Sequence, residues 1–120
     1  GGGTKMSVGV EFAHKLILER FPPESYNLYT FMFSDGDNLS SDTERTVAVT
    51  KAIADICNLF GYAEIGPDAS SPAYYRGTTA LKYLLEMNHP TFSGVTVAGA
   101  EGVQLAMQTW FKRRGRAVAG

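Results

Sequence analysis

The run Leu28-Tyr29-Thr30-Phe31-Met32-Phe33 is nearly continuous in apolar side chains, and it stops abruptly at Ser34-Asp35-Gly36-Asp37-Asn38. A short unbroken run of this kind predicts a strand buried on both faces, the habit of parallel sheets. The polar cluster after it predicts a turn. Helical periodicity surrounds the pair. Val8, Phe12, Leu16, Ile17 and Phe21 mark one face of a first helix, which Thr4 or Ser7 could cap and Pro22-Pro23 must end. After the turn, Ser41-Asp42-Thr43-Glu44 has the form of a capping box. Val49, Ala52, Ile53, Ile56, Cys57 and Phe60 continue that second helix, with Gly61 at the expected left-handed cap.

The pattern then repeats. Tyr62–Ile65 predicts a short strand and Ala69–Gly77 a loop. A helix is expected from Thr78 to Met87, with Leu81, Leu84 and Leu85 inward. Ser93–Ala98 predicts a third strand. Val103, Ala106, Met107, Trp110 and Phe111 predict a last helix, ending in Lys112-Arg113-Arg114. Helix and strand alternating at this spacing imply an α/β fold with a mainly parallel sheet, in one domain of residues 1–120.

Composition narrows the function. With 11 basic against 12 acidic side chains the net charge is −1, unlike the basic face of a nucleic-acid binder. One cysteine, Cys57, can make neither an internal disulfide nor a multi-thiolate zinc site. No run of about 18 apolar residues is present to span a membrane. No leader precedes the first helix, so the cytoplasm is the expected compartment.

In open α/β sheets, ligand sites lie at the carboxyl ends of strands, where Ser34–Asn38 falls. Three readings stand. Asp and Gly suit a tight turn with no ligand, beside a helix N-terminus that favours acids. Alternatively, an acid here serves a hard divalent cation such as Mg²⁺, with the Thr4 hydroxyl as a further oxygen donor. Or Asp35-Gly36-Asp37 is an Asp-x-Asp phosphotransferase site with Asp35 as nucleophile and Asp37 as acid/base. That chemistry also needs a lysine and a further acidic pair, and Lys51 and Asp55 lie within the predicted second helix. An EF-hand fails at Leu39 and Ser40, its fifth and sixth positions.

The segments Gly2–Ser7, Arg20–Glu24, Tyr29–Leu39 and Cys57–Ile65 resemble the YeaH/YhbH-like bacterial proteins, a family similar to von Willebrand factor A domains. The resemblance implies a Rossmann-like three-layer sandwich and a metal-ion-dependent adhesion site. Within that site Thr4 matches the family's threonine and Asp35 its late aspartate. Asp37 has no counterpart in the general motif. The Asp-x-Ser-x-Ser that supplies most ligands is absent from these residues, which implies a partial domain and little or no tight Mg²⁺ binding by this chain alone. The resemblance further implies a non-enzymatic interaction module in bacterial stress response or sporulation. Its expected partners are a PrkA-type serine protein kinase and a SpoVR-type protein. It also implies that Leu28–Phe33 lacks a sheet neighbour, so a homo-oligomer through that edge is expected.

Remaining candidates read as structural. Cys57 is expected to be a buried inert thiol, His14 a boundary residue and His89 a loop-shaping one. Tyr74, Tyr75 and Arg76 are either an interface patch or loop packing. The basic run from Lys112 to Arg116 offsets a helix dipole.

Overall fold

The computed structural model describes residues 5–66 and 79–119. Thr4, the Tyr74-Tyr75-Arg76 cluster and the side chains of Arg113–Arg116 lie outside what is described. In chain order the elements are α1 (Met6–Arg20), β1 (Tyr29–Ser34), α2 (Thr43–Ile56), β2 (Leu59–Ile65), α3 (Ala80–Leu85), β3 (Phe92–Val97) and α4 (Gly99–Ala119). The three strands run parallel in the order β1-β2-β3, with Tyr29 beside Leu59 and Phe60 beside Phe92. This is the α/β alternation and parallel sheet that the periodicity predicts.

Strand order rising by one each time, with crossovers of one hand, places α2 and α3 on the same sheet face. There Phe60 and Tyr62 meet Ile53, Ala54, Ala80 and Leu84, and Val10 of α1 joins them. On the opposite face Trp110 and Ala106 of α4 cover Leu59, Ala63 and Val97. Period-two alternation along β2 thus feeds both cores at once.

The doubly buried strand is β2 and not β1. Six of the seven β2 residues are buried, whereas β1 is only half-buried and Phe33 is 40% exposed. Among the described strands β1 lies at the edge, and there its aromatic richness does not translate into burial. β2 also begins earlier than Tyr62, because α2 ends at Ile56 and Cys57 is already extended. Gly61 is therefore no helix cap. It lies in the middle of β2 under Trp110, and a Cβ there would meet the indole at 2.7 Å. The missing side chain lets the ring lie flat on the sheet, stacked on Phe31 at 5.3 Å between centroids.

In α1 a polar anchor overrides apolar periodicity. Helix α1 buries Ser7 and Val10, while Val8 and Phe12 of the expected face are 58% and 70% exposed. Ser7 does not cap the helix from outside. It sits in the first turn and is gripped by Asp42. The expected capping box is absent too. A 3-10 turn, Ser40–Asp42, leads into α2, whose N-cap Asp42 makes no side-chain capping bond to the helix backbone. Helix α3 is shorter than expected, and Leu85 points outward at 48% exposure. In α4, Ala106 and Trp110 are buried but Phe111 is 49% exposed.

One buried group is not satisfied. The Thr50 hydroxyl on α2 is fully buried, with no hydrogen-bond partner among the described residues. Thr50→Val keeps the shape and removes the stranded hydroxyl. It is expected to stabilise the fold by about 1 kcal/mol in denaturant titration. Destabilisation would mean that the hydroxyl has a partner.

Candidate functional site

The carboxyl end of β1 opens into the loop Ser34–Asn38, whose shape its own side chains fix. The Gly36 N–H donates to Ser34 Oγ at 3.0 Å, and the Asp37 N–H donates to Asp35 Oδ1 at 2.9 Å. Gly36 takes a left-handed φ of +83°, which L residues adopt at a cost. It is pressed onto the end of β2, where a Cβ would stand 2.3 Å from Glu64 Oε1. Asp35 and Asp37 are exposed on either side of this buried glycine.

Glu64 supports the loop from below. It is only 6% exposed, and its Oε1 accepts from the Tyr62 hydroxyl and from the Leu81 N–H, each at 2.9 Å. The Gly36 carbonyl accepts from the Ala80 N–H at 3.1 Å, so the first turn of α3 docks on the same loop. Burial pushes the Tyr62 phenol well above its ordinary range, despite a hydrogen bond with Ser34, so it stays a neutral donor.

Asn38 and Asp42 hold the start of α1. Asn38 Oδ1 accepts the Met6 N–H at 2.9 Å. Asp42 Oδ2 accepts the Ser7 N–H at 2.9 Å, and Oδ1 accepts the Ser7 hydroxyl at 2.6 Å. The orphan N–H groups of one helix are thus met by side chains of another segment. The acid also lies at the positive end of the α1 dipole. Burial pushes the Asp42 carboxyl up, but hydrogen bonds from Ser7, Thr46 and Asn38 outweigh it and hold the group below its usual range. The paired Glu11 and Arg45 add a surface tie between α1 and α2.

Of the residues expected to hold a cation, Asp35 and Asp37 share this loop, and Thr4 lies outside the described residues, two positions before Met6. Among the described residues no three His, Cys, Asp or Glu side chains converge. Lys51 and Asp55, weighed for phosphotransfer, pair with each other at 3.0 Å on α2. Asp55 also bonds His89 Nε2 at 2.7 Å, ahead of β3 and so toward the amino ends of the strands. His89 Nδ1 accepts the Thr91 N–H, so the ring pins a turn, as expected. Cys57 is buried, its Sγ is 3.2 Å from Thr30 Oγ1, and burial pushes its thiol up. That is the inert thiol the sequence predicts.

The sequence does not single out Glu64 or Tyr83, and it offers Ser7 only as a cap of α1. Glu64 carried a signal, because an acid inside an apolar strand must find a partner. Asp42 was hidden within an apparent capping box.

Among the described residues no helix is long and apolar enough to cross a membrane. No solved structure matches the chain at a significant level. The family model described as "Protein of unknown function (DUF444)" matches residues 1–114. A UPF0229 protein of Clostridium botulinum is 37% identical over 112 residues, covering 93% of this chain and 27% of the relative. One from Ruminiclostridium cellulolyticum is 36% identical over 109 residues, covering 89% and 26%. One from Halalkalibacterium halodurans is 34% identical over 118 residues, covering 98% and 29%. The chain therefore spans little more than a quarter of the length of these relatives. With nearly every residue inside the family model, the chain belongs to the DUF444, or UPF0229, family of bacterial proteins, with which the YeaH/YhbH resemblance is consistent.

Proposed function

We propose that these residues form part of a von Willebrand A-type, Rossmann-like domain that acts as a non-enzymatic protein-interaction module. In this reading Asp35, with Asp37 beside it and Thr4 upstream, contributes oxygen ligands to a Mg²⁺ site. The observation that carries it is the placement of Asp35. An exposed carboxylate stands at the carboxyl end of a parallel strand, on a loop locked by Gly36 and Glu64. Its neighbour Asn38 holds the Met6 N–H, two residues after Thr4. Carboxylate and hydroxyl oxygens suit a hard cation, and two carboxylates make only part of an octahedral sphere. When bound, Mg²⁺ would supply an open coordination position for a carboxylate of the partner protein. In line with the resemblance, the partners proposed are a serine protein kinase and a SpoVR-type protein in bacterial stress response or sporulation.

Two results are expected. In calorimetry this chain alone takes up Mg²⁺ weakly or not at all, while in a full-length family member Asp35→Asn abolishes Mg²⁺-dependent partner binding and no catalytic turnover is seen. A micromolar site in this chain, or full partner binding by the Asn variant, would contradict the reading.

The second concerns assembly. Among the described strands β1 pairs only with β2, its Phe33 is half-exposed, and the half-exposed Phe111 of α4 packs beside its Phe31. An open apolar edge invites strand pairing. Light scattering of this chain is expected to give a dimer or larger species, weakened by Phe33→Lys. A clean monomer at high concentration would contradict it.

A further inference from the structure

We infer that Asn38 is a positioning residue that couples the acidic loop to the start of α1, so that what happens at Asp35 is felt at Met6 and Ser7. The inference deepens the cation reading and rests on it only for the consequence at Asp35. The coupling itself rests on geometry.

A single planar amide joins four segments. Its Oδ1 accepts the Met6 N–H of α1 at 2.9 Å, and its Nδ2 donates to Thr46 Oγ1 of α2 at 3.0 Å and to the Tyr83 hydroxyl of α3 at 3.1 Å. Its own backbone is the end of the loop, three residues after Asp35. The orientation of the amide is forced. A flipped group would set its NH₂ against the Met6 N–H and leave Thr46 and Tyr83 facing an acceptor. Thr46 cannot reverse its role cheaply, because its own proton is directed at the Asp42 carbonyl and carboxylate, at 2.8 and 3.0 Å. Burial pushes the Tyr83 phenol above its ordinary range, so it remains a neutral hydroxyl able to accept. An amide is rigid, so loop motion that displaces Oδ1 must displace Nδ2 as well. Aspartate lacks the donor and alanine lacks both groups, so only an amide of this length serves all three helices.

The test uses amide-resolved NMR of this chain with three probes. Trace Mn²⁺ reports whether a cation visits Asp35, Mg²⁺ reports what moves, and hydrogen exchange without metal reports the coupling alone. Mn²⁺ broadening confined to the Asp35 and Asp37 amides in the wild type supports the cation reading, broadening centred elsewhere overturns it, and no broadening is the weak binding expected of this chain alone and leaves hydrogen exchange to judge the coupling. Where Mn²⁺ broadens Asp35, the coupling requires Mg²⁺ to shift the Met6 and Ser7 signals in the wild type, and requires Asn38→Ala to abolish those shifts while the broadening persists. Without metal, Asn38→Ala is expected to speed exchange at Met6 and also at Asp37 by about tenfold. Tyr83→Phe removes one partner without opening the core, and is expected to act in the same direction by a smaller factor. Unchanged Mg²⁺ shifts at Met6 in Asn38→Ala, or faster exchange at Met6 with Asp37 unaffected, would overturn the inference and reduce Asn38 to a local cap.

Discussion

Gly36→Ala is expected to destabilise the fold by about 3 kcal/mol, among the larger single-site effects this chain can show. Two costs combine. The left-handed φ of +83° strains any residue with a Cβ, by about 1 kcal/mol. The added carbon then falls 2.3 Å from Glu64 Oε1, and that carboxylate cannot swing away without releasing the Tyr62 hydroxyl and the Leu81 N–H. Melting should therefore fall by on the order of 10 °C. A double-mutant cycle locates the cause. In a Glu64→Ala background the penalty of the same glycine change should shrink by about 1 kcal/mol or more, because the atom it strikes is gone. Equal penalties in both backgrounds would show that the loop does not rest on Glu64.

Asp42→Asn is expected to cost about 2–3 kcal/mol although the two side chains are nearly isosteric. Asp42 is 2% exposed, and both its oxygens accept hydrogen bonds from Ser7, with Thr46 adding a third. An amide offers one acceptor and turns donors toward a donor. The effect carries a pH signature. The folded carboxyl titrates below its unfolded value, so its stabilisation is fully present above the unfolded value. It is lost as pH falls from that value through the folded one. Wild-type stability should thus drop steeply in the acid range. Asp55, lowered by its bonds to His89 and Lys51, adds a contribution of the same sign. Asp42→Asn should flatten the drop by its own share and leave the share of Asp55. An unchanged acid limb in the Asn variant would show that Asp42 is not held as a carboxylate.

Much of the architecture was legible because it follows from period. The order of helices and strands, the parallel sheet and the Trp110 side of α4 all come from spacing and turn residues. What was misread depends on position within the sheet, which period does not encode. The aromatic run of β1 outranks the Leu59–Glu64 stretch in apolar content, yet among the described strands only the latter has a neighbour on each side. Gly61 looks like a cap until Trp110, far along the chain, needs a flat surface. The rotation of α1 is set by Ser7 meeting Asp42 across 35 positions, a contact invisible to any local window. The acidic loop itself was legible, since acids and glycine after a strand mark a ligand-bearing end. Its supports, Asn38 and Glu64, were not, because a residue that holds a loop differs from its neighbours only in what it touches.

The measurement that bears most directly on the cation reading is anomalous scattering from Mn²⁺ soaked into crystals of a full-length family member. The expected result is one strong peak about 2.1 Å from a carboxylate oxygen at the Asp35 position, with the hydroxyl at the Thr4 position in the same coordination sphere or one water away. A peak elsewhere, or coordinates that put those two side chains on opposite sides of the molecule, would contradict it.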